Sequence, residues 1–138
     1  YFEPVFTGRG RMLVMVYRSK MLEQTLERPY VRKLLAHAHP HYARCKGLEQ
    51  MLDCLKRRMD ISQDFPHEIG LFLGYPVADV EGFMRNKGKN YKLSGYWKVY
   101  ANEQHARDLF LQYTECRQRY CMRVAEGMSI VQLVCVAS

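Results

Sequence analysis

The chain has 138 residues, of which 48% are hydrophobic and 25% are charged, and its formal net charge is +7. These values are ordinary for a soluble globular protein of about one domain, and they exclude a disordered chain. The positive charge favours an anionic partner without identifying it.

The sequence carries no sign of a membrane or secreted protein. No apolar run approaches the ~20 residues that cross a bilayer, and no signal peptide opens the chain, so we expect a cytoplasmic protein that does not enter membranes. The chain begins at Tyr1 in strand-like sequence, without Met, and we expect that an N-terminal segment precedes it. The five cysteines include no Cys-x-x-Cys pair, which indicates reduced thiols that mostly pack in the core.

The N-terminal residues, "YFEPVFTGRGRMLVMVYRS", predict a β-hairpin. β-Branched and aromatic residues flank a Gly-rich turn from Thr7 to Gly10. The second strand, Met12 to Tyr17, is almost entirely apolar, which predicts a central position in its sheet.

Three helices are predicted between residues 19 and 59. Ser19 can cap a short helix that ends near Arg28, and Pro29 can begin a second helix that extends to Ala38. The third, Tyr42 to Met59, has one apolar face and one basic face. The basic face carries Arg44, Lys46, Lys56, Arg57 and Arg58.

Residues 66–85 have the spacing of a helix-turn-helix. Gly70 falls where the two helices touch, Gly74 at the turn and Val80 at an apolar anchor of the second helix. The core side of this corner would carry Ile69, Leu73 and Phe83. The outward positions of the second helix are Pro76, Val77, Ala78, Glu81, Gly82 and Arg85. Only Arg85 suits base or phosphate contacts, so we favour a plain helical corner and keep DNA reading as the alternative.

The polar loop that follows the corner, "NKGKNYKLSG", is the most suggestive candidate site. Ammonium groups and exposed backbone N–H groups could together hold a phosphate or carboxylate, although the loop lacks the P-loop pattern. A solvated basic turn is the alternative. The predicted ligand-binding residues are Arg85, Lys87, Lys89, Asn90, Lys92, Tyr96 and Lys98.

The C-terminal part predicts one strand and the longest helix. The strand covers Gly95 to Ala101, and Asn102 caps a helix from Glu103 to Glu126 that packs on a small sheet. Its buried face would carry Ala106, Leu109, Phe110, Tyr113, Tyr120 and Val124. The last run, 129–137, favours a strand, with a helix as the alternative. The predicted fold is therefore α+β, a single domain over residues 1–138 with an N-terminal β-hairpin, a helical middle and a long C-terminal helix.

Two groups of residues are candidates for catalysis or metal binding. His67 and Glu68 could act as acid and base, but neighbours in a helix point about 100° apart, and they remain weak candidates. The triplet "HAHPH", His37, His39 and His41, could share one face of an extended segment. Pro40 makes that segment a helix end, so we predict a surface loop and no metal site.

The runs "FPHEIGLFLGYPVADVEGFMRNKGKNYKLSGYWKVY" and "RMLVMVYRSKMLEQTLERPYVRKLL", with the pair Cys116-Arg117, resemble a family of small proteins from anaerobic Firmicutes. That family is catalogued only as a domain of unknown function. The resemblance covers nearly all of the chain and implies a cytoplasmic bacterial protein with one domain and an additional N-terminal segment. Members often carry Cys near Leu93-Ser94, which this chain lacks, and the family implies no activity or cofactor.

The charge and loop chemistry lead to three hypotheses. The first is a cytosolic binding or regulatory domain that accepts an anionic small ligand, a class that includes phosphorylated compounds, at the loop from Arg85 to Lys98 beside His67. The second is nucleic-acid binding through the helical corner and the basic helix. The third is an enzyme that uses His67 and Glu68.

Overall fold

The computed structural model describes residues 1–8, 11–61, 65–129 and 131–133. It has an α+β architecture, which confirms the predicted fold class. The strands are β1 (Phe2–Gly8), β2 (Arg11–Val16), β3 (Leu93–Ser94) and β4 (Lys98–Val99). The helices are α1 (Ser19–Leu26), α2 (Pro29–Ala38), α3 (Gly47–Ile61), α4 (Ile69–Phe72), α5 (Val77–Asn86) and α6 (Glu103–Ala125), with a 3-10 helix at Pro40–Arg44.

The N-terminal hairpin pairs β1 with β2 in antiparallel register, from Phe2 opposite Val16 to Gly8 opposite Arg11. Within the described residues this sheet has two strands, so the predicted central position of the second strand is wrong. Met15 and Val5 are buried against the helices, whereas Leu13, Val14 and Val16 are exposed. Side chains alternate along a strand, so Val14 and Val16 lie on the face opposite Met15, whereas Leu13 is exposed although it shares the face of Met15.

The predicted third helix is divided into two elements. Its first residues form the 3-10 helix that begins at Pro40, and α3 begins only at Gly47. The reason is a break at Gly47, whose φ of 79° lies in the left-handed region that glycine adopts readily. Tyr42 and Cys45 are nevertheless buried, as the predicted apolar face requires.

One large core joins the hairpin to helices α1 to α5. Leu26, Leu35, Met51 and Leu55 are completely buried at its centre. Apolar residues recur every three or four positions in α1, α2 and α3, so each of these helices turns one side to the same core.

The corner of α4 and α5 forms at the predicted positions. Gly74 has a φ of 75° and ends α4, and a Cβ at Gly70 would lie 2.8 Å from Cγ2 of Val80, so the helices touch there. Val80 is buried as the predicted anchor. Leu73 is exposed, which corrects its predicted core position, because α4 ends after a single turn.

The second hairpin, β3 with β4, replaces the single predicted strand. Leu93 pairs with Val99 and Ser94 with Lys98, so residues 95–97 form the turn. A buried carboxylate fastens this hairpin to α5. Asp79 accepts hydrogen bonds from Trp97 Nε1 (2.8 Å) and from the backbone N–H groups of Tyr100 (2.8 Å) and Ala101 (2.9 Å).

The long helix α6 begins as predicted, with the Asn102 side chain accepting from the His105 N–H at 3.1 Å. Its first half packs on the second hairpin, where Ala106 is buried and the Phe110 ring centroid lies 4.6 Å from that of Trp97. Val124 is exposed, which corrects its predicted burial, because within the described residues little covers the last turns of α6.

The cysteines fall into two groups. Cys45 and Cys54 are buried free thiols, whereas Cys116 and Cys121 are exposed free thiols on α6, so the predicted core packing holds only for the first pair. Cys135 lies outside the described residues, as does most of the run 129–137, of which residues 131–133 are helical. Within the described ranges, no helix combines the length and apolar character needed to cross a bilayer.

Candidate functional site

A cleft of about 760 Å³ opens between α2, α5 and the segment 65–68. We call it the His67 cleft. Its volume lies within the range of about 300–1,000 Å³ that is typical of small-molecule sites. The residues that line it are Tyr30, Lys33, Leu34, His37, Ala38, Arg58, Phe65, Pro66, His67, Glu68, Glu81, Met84 and Arg85.

The local sequence explains how α2 contributes to this cleft. Tyr30, Lys33 and His37 are spaced by three and four residues, so they lie along one side of the helix. Val31 and Leu35 are completely buried on the other side of the helix. Because α2 is amphipathic, its polar side chains line the cleft while Val31 and Leu35 pack in the core.

Both carboxylates of the cleft are already compensated by neighbouring donors. Glu81 accepts hydrogen bonds from the Tyr30 hydroxyl and from Arg85 Nη2, the latter at 2.7 Å. The bond to Glu81 raises the pKa of Tyr30, so the phenol keeps its proton at neutral pH. Glu68 is paired with Arg58. The two carboxylates therefore offer little free negative charge to repel an anion.

Three polar side chains of the cleft remain available to a ligand. Lys33, His37 and His67 are exposed, and none of them has a hydrogen bond or ion pair within the described part of the chain. The His67 ring rests edge-on against Phe83, with centroids 4.9 Å apart, which limits its rotation. The cleft thus presents one unpaired ammonium and two imidazoles beside an apolar wall. That wall consists of Leu34, Ala38, Phe65, Pro66 and Met84.

A buried polar network closes the inner end of the cleft. Glu68 is 2% exposed and receives hydrogen bonds from Arg58 Nε, from Arg58 Nη2 at 3.3 Å and from the Tyr42 hydroxyl at 3.3 Å. Burial, followed by the charge of Glu68, raises the pKa of Tyr42, so the phenol remains a donor. The network satisfies a carboxylate that would otherwise be costly to bury.

The adjacent residues His67 and Glu68 therefore have different surroundings. Glu68 turns inward to Arg58 and Tyr42, whereas His67 faces solvent and packs on Phe83. No hydrogen bond joins the two side chains in the described structure, and the acid–base hypothesis stays a prediction.

The predicted basic loop forms the second hairpin and the turn before it; we call residues 85–98 the basic hairpin. Two of its lysines bind the protein's own backbone. Lys92 Nζ donates to the Ala101 carbonyl oxygen at 2.9 Å, and Lys98 Nζ donates to the Gly88 carbonyl oxygen at 2.7 Å. Lys98 Nζ also lies 4.8 Å from the centre of the Tyr91 ring. These ammonium groups hold the loop in its conformation.

The other predicted ligand-binding residues are spread over the same region. Lys87 and Asn90 occupy left-handed turn positions, with φ of 50° and 57°, and Lys89 is exposed between them. The Tyr96 hydroxyl is 3.1 Å from Thr114 Oγ1 on α6. Arg85 reaches the His67 cleft, and the remaining members of the set do not line it. Ligand binding by the loop itself stays a prediction.

The histidine triplet is divided by the fold. His37 lines the His67 cleft, whereas His39 and His41 lie together on another surface with ring centroids 4.8 Å apart. Within the described residues, no group of three or more His, Cys, Asp or Glu side chains is placed to hold a metal ion.

The outer side of α5 is partly covered. A Cβ at Gly82 would lie 2.5 Å from the Tyr100 side chain, so the second hairpin packs directly on one predicted outward position. Asp79 fastens the same hairpin from the first turn of α5. If α5 bound in a groove of DNA, its contacts would come from the part of its surface that Tyr100 leaves uncovered.

Sequence reasoning missed several residues of the His67 cleft. The sequence does not single out Tyr30 or Lys33 as site residues. It places Arg58 only on the basic face of the nucleic-acid hypothesis, Glu81 only among the outward positions of the corner, and His37 only among candidate metal ligands. The three-and-four spacing of Tyr30, Lys33 and His37 on α2 is the signal that could have grouped them. Nothing local in the sequence indicates that Arg58 meets Glu68.

The comparisons with known proteins identify a family. The sequence model described as "Protein of unknown function (DUF3793)" matches residues 1–134. No curated protein and no solved structure matches the chain. Since the match covers almost the whole sequence, the chain belongs to this family, which confirms the resemblance to a domain of unknown function.

Proposed function

We propose that this member of the DUF3793 family is a small-molecule-binding protein whose ligand carries an anionic group on an apolar body. The ligand lies in the His67 cleft, with its anionic group at Lys33 and its apolar part against Phe65 and Met84. Both carboxylates of the cleft are compensated internally, so the free charge of the site is the Lys33 ammonium.

One observation carries this proposal. Lys33, His37 and His67 are polar groups without a partner in the described residues, and they surround a cleft of about 760 Å³ that has an apolar wall. Sites for small ligands typically combine such a wall with a few convergent polar groups that fix orientation. A carboxylate or phosphate would complete the hydrogen bonding of the three side chains.

Nuclear magnetic resonance with ¹⁵N-labelled protein tests the proposal, using phenyl phosphate as the probe and phenol as its uncharged control. Phenyl phosphate is expected to shift the amide signals of residues 33–38, 65, 67, 68 and 81–85, and phenol to shift them far less. Equal shifts with both compounds, or shifts confined to residues 86–98 of the basic hairpin, would contradict the proposal.

A matched pair of variants locates the anionic group. Lys33→Gln removes the unpaired ammonium and is expected to weaken phenyl phosphate binding, followed at the amide signals of residues 33–38, about fivefold, which corresponds to about 1 kcal/mol for an exposed charge pair. Lys20→Gln removes an exposed charge on α1, outside the cleft, and should leave the affinity unchanged. Equal effects of the two variants would show that only the overall charge attracts the anion.

A further inference from the structure

A second cleft, of about 610 Å³, lies between the 3-10 helix and α3. We call it the arginine cleft. It adjoins the His67 cleft at Arg58, which lines both. The residues that line it are His39, His41, Arg44, Cys45, Gln50, Asp53, Cys54, Arg57 and Arg58.

The charge of this cleft is strongly positive. Three guanidinium groups, from Arg44, Arg57 and Arg58, line it together with one carboxylate, from Asp53. That carboxylate is engaged by Lys56, whose Nζ lies 3.5 Å from Asp53 Oδ1. The cleft therefore retains an excess of positive charge that no acidic side chain of its lining cancels.

The arginines differ in how they are held. Arg58 is fixed by its ion pair with the buried Glu68. Arg44 and Arg57 are exposed, and neither makes a hydrogen bond or ion pair within the described residues. A fixed guanidinium with two free ones beside it suits an anion that has several oxygen atoms, because each planar guanidinium can donate two parallel hydrogen bonds.

His39, Cys45 and Cys54 add one hydrogen-bond donor and no negative charge to the arginine cleft. His39 Nδ1 accepts a hydrogen bond from the His41 N–H at 3.4 Å, so the neutral ring carries its proton on Nε2. Burial, followed by the charge of Arg58, lowers the pKa of His39 and keeps it neutral at pH 7. Burial also raises the pKa of Cys54 to about 11 and that of Cys45, so both thiols stay uncharged.

We propose that the arginine cleft binds the phosphate group of a small phosphate ester, with Arg57 and Arg44 as its principal donors. Arg58 and His39 Nε2 complete the donor set. A phosphate has more oxygen acceptors than a carboxylate and carries up to two negative charges, which matches two free guanidiniums beside a fixed one. This site is separate from the proposed site at Lys33 and does not depend on it.

Isothermal titration calorimetry and ¹⁵N chemical shifts test the proposal, with ribose 5-phosphate as the probe and ribose as its uncharged control. Ribose 5-phosphate is expected to shift the amide signals of residues 39, 41–45 and 50–58, whereas ribose should not. The absence of shifts at these residues at the highest soluble concentration of ribose 5-phosphate would overturn the proposal.

The variants are chosen among exposed residues so that folding is preserved, which circular dichroism verifies. Arg57→Gln and Arg44→Gln should each weaken ribose 5-phosphate binding at least tenfold. Arg117→Gln, which removes an exposed guanidinium on α6, is the matched control and should have no effect. A loss of the same size with Arg117→Gln would overturn the proposal, since binding would then follow net charge alone.

Two further experiments, or arms, distinguish the arginine cleft from the site at Lys33 and from a nucleic-acid-binding surface. Lys33→Gln should leave ribose 5-phosphate binding unchanged, so failure at Lys33 and failure at the arginine cleft are distinguishable. The other arm uses single-stranded oligonucleotides of increasing length that carry no terminal phosphate. Affinity that rises with their length and falls steeply with salt, without any response to ribose 5-phosphate, would overturn the proposal in favour of a nucleic-acid surface.

Discussion

Two lysines of the basic hairpin and the unpaired cations of the two clefts use positive charge in opposite ways. In the basic hairpin, the ammonium groups of Lys92 and Lys98 donate to carbonyl oxygens of the same chain at 2.9 Å and 2.7 Å. In the clefts, Lys33, Arg44 and Arg57 have no hydrogen bond or ion pair within the described residues. A cation that the fold already uses supports conformation, whereas a free cation in a concave surface is available to a ligand.

The position of the basic hairpin depends on the buried carboxylate of Asp79. Asp79→Ala should have the largest effect on stability, because it leaves the Trp97 N–H and the Tyr100 and Ala101 backbone N–H groups without their acceptor. We expect the free energy of unfolding to fall by about 4 kcal/mol, since each buried donor left unsatisfied costs about 1–3 kcal/mol. Urea denaturation measures this.

The control for that prediction is Asp108→Ala on the exposed side of α6, where the carboxylate accepts a hydrogen bond from Gln104 at 3.0 Å and from no other group of the described residues. Surface substitutions of this kind usually change stability by less than about 0.5 kcal/mol. If the two aspartate variants unfolded at the same urea concentration, Asp79 would not hold the second hairpin on α5 as the structure indicates.

The buried ion pair between the clefts should give the next largest effect. Arg58→Met leaves the carboxylate of Glu68 buried without its main partner, and we expect a loss of about 3 kcal/mol in the free energy of unfolding. The double variant Arg58→Met with Glu68→Leu should recover part of this loss, because removing both charges removes the desolvation cost. A double variant less stable than Arg58→Met alone would contradict this account.

One lysine from the basic hairpin and one from the His67 cleft test the difference between paired and unpaired cations directly. Lys98→Met removes a half-buried ammonium that binds the Gly88 carbonyl and faces the Tyr91 ring, and it should cost about 1 kcal/mol. Lys33→Met removes an ammonium without a partner and should change stability by less than about 0.5 kcal/mol. Thermal unfolding of both variants at one pH measures the difference, and a reversed order would break the comparison.

The smallest expected effect concerns Tyr42 and alkaline pH. Its pKa is raised in the folded protein above the ordinary value of 10.0, so the stabilisation is complete below pH 10 and is lost as pH rises further. Tyr42→Phe removes both the titrating group and its hydrogen bond to Glu68.

The stability advantage of wild type over Tyr42→Phe should therefore be constant below about pH 10 and shrink as the pH rises above it. Melting temperatures of the two proteins across this range provide the measurement. A constant difference would show that Tyr42 ionises equally easily in both states.

Much of the fold could be predicted because its signals are local. Gly74 at the turn and Val80 as the anchor specify the corner, and Asn102 specifies the start of the longest helix. The break at Gly47 was missed because a glycine in an apolar periodic pattern is compatible with a continuous helix until its φ is known. Predictions based on local pattern are sound where neighbouring residues decide the conformation.

The candidate sites could be predicted only in part because they are assembled over long distances in sequence. Arg85 and His67 were predicted and do line one cleft, but Lys33 comes from α2 and Arg58 from α3. Lys92 and Lys98 looked like ligand-binding residues because the sequence does not reveal which carbonyl oxygens lie within reach of them. Net charge shows that cations are abundant, and only the tertiary contacts show which of them are free.

The affinity of the His67 cleft for phenyl phosphate, followed at the amide signals of residues 33–38 in Lys33→Gln and Lys98→Gln, tests the central claim most directly. The account predicts that Lys33→Gln binds about fivefold more weakly than wild type, whereas Lys98→Gln binds with unchanged affinity. Weaker binding by Lys98→Gln together with wild-type affinity in Lys33→Gln would contradict the proposed site in the His67 cleft and would place the ligand at the basic hairpin.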